Sequence, residues 1–250
     1  MPGVDMNLEG QRTVAAEFSK SYFLEYVKLV EEDRNTHLEQ SYARGKTFGG
    51  SDGALLYSMI RAHKPSKVIE IGCGQSTVLS AVAAERNATD GAPCAITAIE
   101  PYPSDYLLSS VGGNVEILRR RVEEVPLSLF ESLEPSDILF IDSSHTVKVG
   151  GDVIQEINEI LPRLAPNVHI HIHDICFPFN YSRQAVFHDH KFWAEQYLLQ
   201  AFLAYNENFK VKWCFSYVQH HAPDILKEYF PFYAPKHRDH MGSFWMEKIK

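Results

Sequence analysis

Two groups of residues in this chain could do chemistry. The first is Val68-Ile69-Glu70-Ile71-Gly72-Cys73-Gly74-Gln75-Ser76-Thr77. A β-branched run ends in an acid and a Gly-x-Gly turn, and an apolar helical pattern follows at Val78, Leu79, Ala81 and Val82. Strand, tight turn and helix N-terminus make a seat for a nucleotide-like ligand, because the backbone can approach a ligand where glycine carries no side chain. A Gly-x-Gly turn also occurs with no ligand, and position 77 is Thr where a dinucleotide fingerprint has its third glycine. The next strand-like run, Ala95-Ile96-Thr97-Ala98-Ile99, ends at Glu100. An acid there can hold a ribose diol by two hydrogen bonds, where the bland alternative is a solvated strand-end acid.

The second group is Asp142-Ser143-Ser144-His145, together with His173-Asp174. Each follows an apolar run, 137–141 and 167–173, so both are expected at the carboxyl ends of strands, where open α/β sheets bind ligands. His145 titrates near neutral pH and could accept a proton, or it could simply orient the next helix. Asp142, His173 and Asp174 could bind a divalent ion or hydrogen-bond a substrate. His169, His171 and His173 alternate and so share a face. Only His173 is expected at the strand tip, with the other two packed under a helix. His220-His221 and His237/His240 are expected as surface histidines in C-terminal loops.

These residues need a framework. Expected strands lie at 67–71, 94–99, 114–118, 137–141, 167–173, 210–217 and 243–248. Expected helices lie at 12–32, 52–63 (with Asp52 as its cap), 76–88, 104–110, 125–132, 149–161 and 190–206. A polar loop holding Tyr42, Arg44, Lys46 and Phe48 spans about 36–50. Strands alternating with helices imply an α/β fold: a Rossmann-like, doubly wound, mostly parallel seven-stranded sheet. The last two strands lack a long helix between them, which predicts an antiparallel C-terminal edge hairpin. Residues 1–64 are expected as an N-terminal helical cap within the same single domain, with 65–250 as the Rossmann-like part. Aromatic residues Tyr42, Phe48, Phe177, Phe179, Tyr181, Phe230, Phe232 and Tyr233 surround the mouth, so an apolar lid is expected. Trp193, Tyr197, Leu198 and Phe202 have helical spacing and read as packing.

The stretch Glu70-x-Gly72-x-Gly74-x-Ser76-Thr77, followed by Ile99-Glu100-Pro101, resembles the cofactor site of class I S-adenosylmethionine-dependent methyltransferases. Asp137-Ile-Leu-Phe-Ile-Asp142-Ser-Ser-His145, Ile172-His173-Asp174-Ile175-x-x-Pro178 and Trp193-x-Glu195-Gln196-Tyr197-Leu198-Leu199 are similar to one branch, the small-molecule methyltransferases of the "methyltransferase domain 24" type. The resemblance runs over about 50–215. It implies that Gly72, Cys73, Gly74, Gln75 and the Ser76 and Thr77 hydroxyls line the methionine part of S-adenosylmethionine. Glu70 would lie near its ammonium and Glu100 on its ribose, with the adenine near Arg121, Val122 and Glu123 and with Asp142 also in the cofactor wall. It further implies methyl transfer to a hydroxyl or nitrogen of a small molecule, with His145 as general base and Asp142, His173 and Asp174 at the acceptor. In catechol-type relatives magnesium has oxygen ligands only. Here His173-Asp174 stands where they carry an oxygen pair, which leaves no metal, Mg, Mn, Fe or Zn all open.

Composition limits the other classes. A net charge of −8 argues against nonspecific nucleic-acid or anionic-membrane binding. No apolar run is long enough to span a bilayer, and Met1-Pro2-Gly3-Val4-Asp5 lacks the features of a secretory signal. Cys73, Cys94, Cys176 and Cys214 are scattered with no CxxC pair, as expected of reduced thiols in a cytoplasmic protein. A homodimer is the expectation from base rates. Rival readings are a metal-centred reaction on the same fold, a noncatalytic cofactor-binding module, and a nicotinamide-dependent dehydrogenase, which the missing third glycine disfavours.

Overall fold

The computed structural model describes residues 1–36, 48–230, 233 and 242–250. The expectations for Tyr42, Arg44, Lys46, Phe232, His237 and His240 lie outside the described residues. Within them a seven-stranded sheet has the order β3-β2-β1-β4-β5-β7-β6. The strands are β1 (Lys67–Ile71), β2 (Ala95–Ile99), β3 (Val115–Leu118), β4 (Ile138–Ile141), β5 (His169–Ile172), β6 (Phe209–Cys214) and β7 (Phe244–Lys248). The first five are parallel. β7 is antiparallel to both β5 and β6, so it is the reversed strand, inserted between β5 and the edge strand β6.

Strand alternation assigns each residue to a face. Val68, Ile96, Ile138 and Phe140 enter one apolar core with Phe23, Tyr26, Leu55, Ile60 and Leu79. Ile69, Ile71, Leu139, Ile141, Ile170 and Ile172 enter the other, with Val153, Ile157 and Leu199. All four residues of β4 are buried, as a strand covered on both faces requires. Each such side chain contributes about 1.5–3 kcal/mol.

The first core is covered by α1 (Leu8–Ser19), α2 (Tyr22–Thr36), α3 (Gly50–His63) and α4 (Gln75–Thr89). The single helix expected at 12–32 breaks after Ser19. Phe18 and Phe23 are five positions apart and could not share one helical face. The break lets both pack, edge to face at 6.0 Å. Asp52 does not cap α3. It is buried and accepts hydrogen bonds from the Gly242 and Ser243 backbone N–H groups at 3.1 and 3.0 Å.

α5 (Asp105–Ser110) lies beside α4. The second face carries α6 (Leu127–Glu131), a helix made of α7 (Asp152–Gln155), a π-type turn (Glu156–Ile160) and α8 (Leu161–Arg163), and then α9 (Glu195–Leu203). Two helices not expected from the sequence, α10 (Phe215–His221) and α11 (Pro223–Tyr229), lie between β6 and β7. The edge pair is therefore joined through helices rather than as a direct hairpin. No described helix is long and apolar enough to cross a membrane.

Candidate active site

β1 lies between β2 and β4, the point where the strand order reverses. A crevice opens at the carboxyl ends of such strands. Its floor is stitched by backbone: Gly72 N–H donates to Ile99 O at 3.0 Å and Asp142 N–H donates to Ile71 O at 2.9 Å. Gly72 has φ +75°, and a Cβ placed there would lie 2.0 Å from the Asp142 carbonyl oxygen. Only glycine allows this approach. Gly74 has nothing within 4 Å of the same test position, so the space above the turn is open.

The resulting cleft holds about 320 Å³ and is lined by Gly72, Glu100, Arg121, Val122, Glu123, Asp142 and Ser143, among others. That volume suits a small ligand. Glu100 stands at the end of β2, and its Oε1 accepts from Tyr102 N–H at 2.8 Å. The other residues of the turn face elsewhere. The Ser76 hydroxyl donates to buried Glu70, and Thr77 Oγ1 accepts from Gly74 N–H at 3.0 Å. Gln75 Oε1 accepts from Phe48 N–H at 3.3 Å. The Cys73 thiol is pushed up by burial and by Glu70 and Glu100, so it is not a thiolate. Glu70 is fully buried, which raises its carboxyl to about 8 against the opposing hydrogen bond from Ser76. In the ligand-free chain Glu70 is thus a neutral acid turned inward onto Ser76. The Ser76 and Thr77 hydroxyls, expected to line the ligand, are committed inside the protein.

The second group assembles beyond Asp142, which belongs to both regions. His145 Nε2 lies 3.3 Å from Asp142 Oδ1 and 3.6 Å from Asp174 Oδ2. One donor atom from each of the three residues lies within 4.8 Å of the others. On its far side, His145 Nδ1 lies 2.7 Å from Oε2 of Glu195, a fully buried residue. The His145 carbonyl accepts from the backbone N–H of Ala194 (2.8 Å) and Glu195 (3.2 Å), so it caps α9. The Trp193 ring meets the imidazole edge to face at 4.6 Å. The loop is braced from α7: Ser144 N–H and Oγ–H donate to Asp152 at 3.0 and 2.8 Å, and Ser143 Oγ–H donates to Glu156 at 3.0 Å. His145 and Asp174 both have φ +56°, a costly conformation for side-chain-bearing residues that is held only where surroundings enforce it.

Electrostatics sets the proton state of His145 in the ligand-free chain. Burial alone would lower it, but its hydrogen bonds to Asp142 and Glu195 overcome that and push it up to about 10. With only these protein groups around it, it holds its second proton at neutral pH, shared with the carboxylates on either side. Asp142 is held below the usual carboxylate range; burial opposes this, and His145 and His173 prevail. Glu156 is pushed well up by burial and by Glu195 and Asp152, so it is a neutral acid.

His173 is placed differently from expectation. Its alternation with His171 turns it to the face of Phe140, where it packs on Phe48 at 5.1 Å. Its Nε2 lies 4.0 Å from Asp174 Oδ1, and the described acid–histidine cluster closes on His145 instead. His171 stacks on Phe140, and its Nε2 lies 3.1 Å from Ser243 Oγ. The His169 ring lies tilted against His63 at 3.8 Å, and burial lowers the two to about 3 and about 4, so both are neutral. Of the aromatic residues expected as a lid, Phe48, Phe177, Tyr181 and Phe230 are core and Phe179 is exposed. Trp193 and Glu195 were not expected at the site. Their signal was an acid inside an otherwise apolar helix start, 50 residues from His145.

The Cys73, Cys94, Cys176 and Cys214 thiols are all free. Residues 69–175, from β1 to just past Asp174, match the family model described as a methyltransferase domain. An uncharacterized protein of Archaeoglobus fulgidus is 32% identical over 99 residues, which is 39% of this chain and 44% of the relative. The match thus spans less than half of that relative's length. Among solved structures, an O-methyltransferase from Bacillus cereus in complex with SAH is 14% identical, covering 92% of this chain and 91% of its own at a TM-score of 0.44. A CmcI structure with Mg and SAM is 12% identical, covering 80% and 72% at 0.43. Likenesses of that depth carry no statement about chemistry. The segment matched by the family model holds the Gly72 turn, Glu100, Asp142, His145 and Asp174 together.

Proposed function

We propose that this chain is a class I S-adenosylmethionine-dependent methyltransferase acting on a hydroxyl, or a nitrogen, of a small molecule. The observation that carries this reading is the cleft itself. A left-handed Gly72 is stitched between β1, β2 and β4, and an acid, Glu100, stands at its rim. The family-model match over that segment supports it. Glu100 would take both ribose hydroxyls, Val122 would cover the adenine, and the open space above Gly74 would receive the methionine part.

Methyl transfer from a sulfonium is an in-line displacement, so the protein's work is to position the acceptor and take its proton. Asp142 links the two tasks, since it lines the cleft and also belongs to the acid–histidine cluster. Asp142 and Asp174 would receive the acceptor's hydroxyl, with His145 holding both carboxylates in place. Three donors of mixed oxygen and nitrogen type at these separations also suit a divalent cation. When bound, such a cation would lower the pKa of an acceptor hydroxyl resting on it.

Calorimetric titration with S-adenosylhomocysteine tests the reading. One site per chain is expected. Glu100→Ala should weaken it ten- to hundredfold, the value of one or two hydrogen bonds to a charged group. No heat at millimolar ligand, or equal affinity in the variant, would remove the assignment.

A further inference from the structure

We infer that Asp142, His145 and Asp174 form a divalent-cation site with one nitrogen ligand, and that Glu195 is the residue that presents that nitrogen, so that Mn²⁺, Fe²⁺ or Zn²⁺ is preferred over Mg²⁺. The inference deepens the methyltransferase reading and depends on it only for what the cation would serve.

Geometry is the first support. Donors about 2.0–2.2 Å from one ion must lie within about 4.4 Å of each other. His145 Nε2 is 3.3 Å from Asp142 Oδ1 and 3.6 Å from Asp174 Oδ2, and one donor from each residue lies within 4.8 Å of the others, so an ion can enter after a small turn of the carboxylates. The second support is the rear partner. A ligating histidine usually gives its other ring nitrogen to a carboxylate, which fixes the tautomer and the ring direction. Glu195 Oε2 is 2.7 Å from Nδ1, and the Glu195 backbone N–H also reaches the His145 carbonyl at 3.2 Å. With Nδ1–H given to Glu195, Nε2 faces the two carboxylates, and a cation bound there would take the place of the Nε2 proton. Trp193 closes on the ring at 4.6 Å and limits its tilt.

Exposure gives the third support. The His145 side chain is 7% exposed, whereas Asp142 and Asp174 are 32% and 22% exposed. An ion there would be closed in at the rear and open at the front. Three protein ligands with open positions is the pattern of a catalytic rather than a structural site. Imidazole suits Zn, Fe and related ions, whereas Mg²⁺ asks for oxygen ligands in near-ideal octahedral geometry. The preference therefore follows from His145 being the third ligand.

The test uses the full chain, stripped with chelator and dialysed against Mn²⁺, Zn²⁺ or Mg²⁺, with bound metal counted by mass spectrometry. One Mn²⁺ or Zn²⁺ per chain is expected, with Mg²⁺ at least ten times weaker. Pulsed electron paramagnetic resonance of the Mn²⁺ form should show a directly bound ¹⁴N that disappears in His145→Ala. Glu195→Gln, which keeps size and hydrogen-bonding reach, should lower affinity ten- to hundredfold. Titration with S-adenosylhomocysteine serves as the folding control for both variants. Wild-type protein that binds this ligand but retains no ion overturns the inference and leaves the methyltransferase reading standing. An ion retained without binding of that ligand does the reverse. A nitrogen signal that survives His145→Ala, equal Mg²⁺ affinity, or wild-type affinity in Glu195→Gln each overturns it.

Discussion

Replacing Gly72 by alanine tests whether the turn is pinned as described. The added Cβ would lie 2.0 Å from the Asp142 carbonyl oxygen and 2.9 Å from its carbon. An ordinary contact needs more than 3 Å, so backbone must move by about 1 Å. It cannot move freely, because Gly72 N–H is bound to Ile99 O at 3.0 Å and Asp142 N–H to Ile71 O at 2.9 Å. Relief breaks at least one of these bonds, at about 1–3 kcal/mol for a buried donor left unpaired. Holding alanine at a left-handed φ adds about 1–2 kcal/mol. The total of roughly 2–5 kcal/mol is a large part of a typical 5–15 kcal/mol stability. It corresponds to a fall in Tm of about 5–15 °C for a chain of this size. Scanning calorimetry reads this directly. Gly74→Ala is the companion variant, since the test position there meets nothing within 4 Å and φ is −178°. It should keep wild-type Tm yet lose S-adenosylhomocysteine affinity at least tenfold, because the methyl occupies the ligand's space. Wild-type Tm in Gly72→Ala, or full affinity in Gly74→Ala, would refute the reasoning.

The remaining predictions concern stability. Glu70 is raised from 4.5 to about 8 by burial, so the folded state holds a proton that the unfolded chain releases. Its contribution is fully present below pH 4.5 and is lost as pH rises through about 8, by roughly 4–5 kcal/mol at full extent. Glu70→Gln should therefore flatten the urea-unfolding stability between pH 5 and 8; an unchanged slope would show that another group is responsible. Asp137, buried just before β4, accepts from the Ser66, Lys67 and Glu134 backbone N–H groups at 2.9 Å each. Asp137→Ala strands three donors and should cost roughly 3–6 kcal/mol by denaturant melts. A loss below about 1 kcal/mol would mean that water replaces the carboxylate.

The turn after β1 and the acid after β2 were legible because both are local. A strand-to-helix turn needs glycine within two or three residues, and Glu100 follows its own strand. The strand tips carrying Asp142 and Asp174 were legible for the same reason. What the sequence could not show was the pairing across distance. Glu195 meets His145 only because α9 returns over the carboxyl end of β4, and no spacing encodes that contact. The true start of α9, at Glu195 rather than near 190, follows from the same contact, since the His145 carbonyl takes its first N–H groups. Phe215 and Tyr217 alternate like a strand and so hid α10, whose buried side is set by Phe215 and Val218. The charge state of His145 was also out of reach. It depends on two carboxylates that converge only in three dimensions.

The central claim is that the cleft between the Gly72 turn and Val122 holds the nucleoside of S-adenosylmethionine. A crystal structure of the chain soaked with S-adenosylhomocysteine measures this most directly. The account predicts the nucleoside in that cleft, both ribose hydroxyls on Glu100 and the sulfur facing Asp142. A cleft left empty at saturating ligand, or a ligand bound with Glu100 facing solvent, would contradict it.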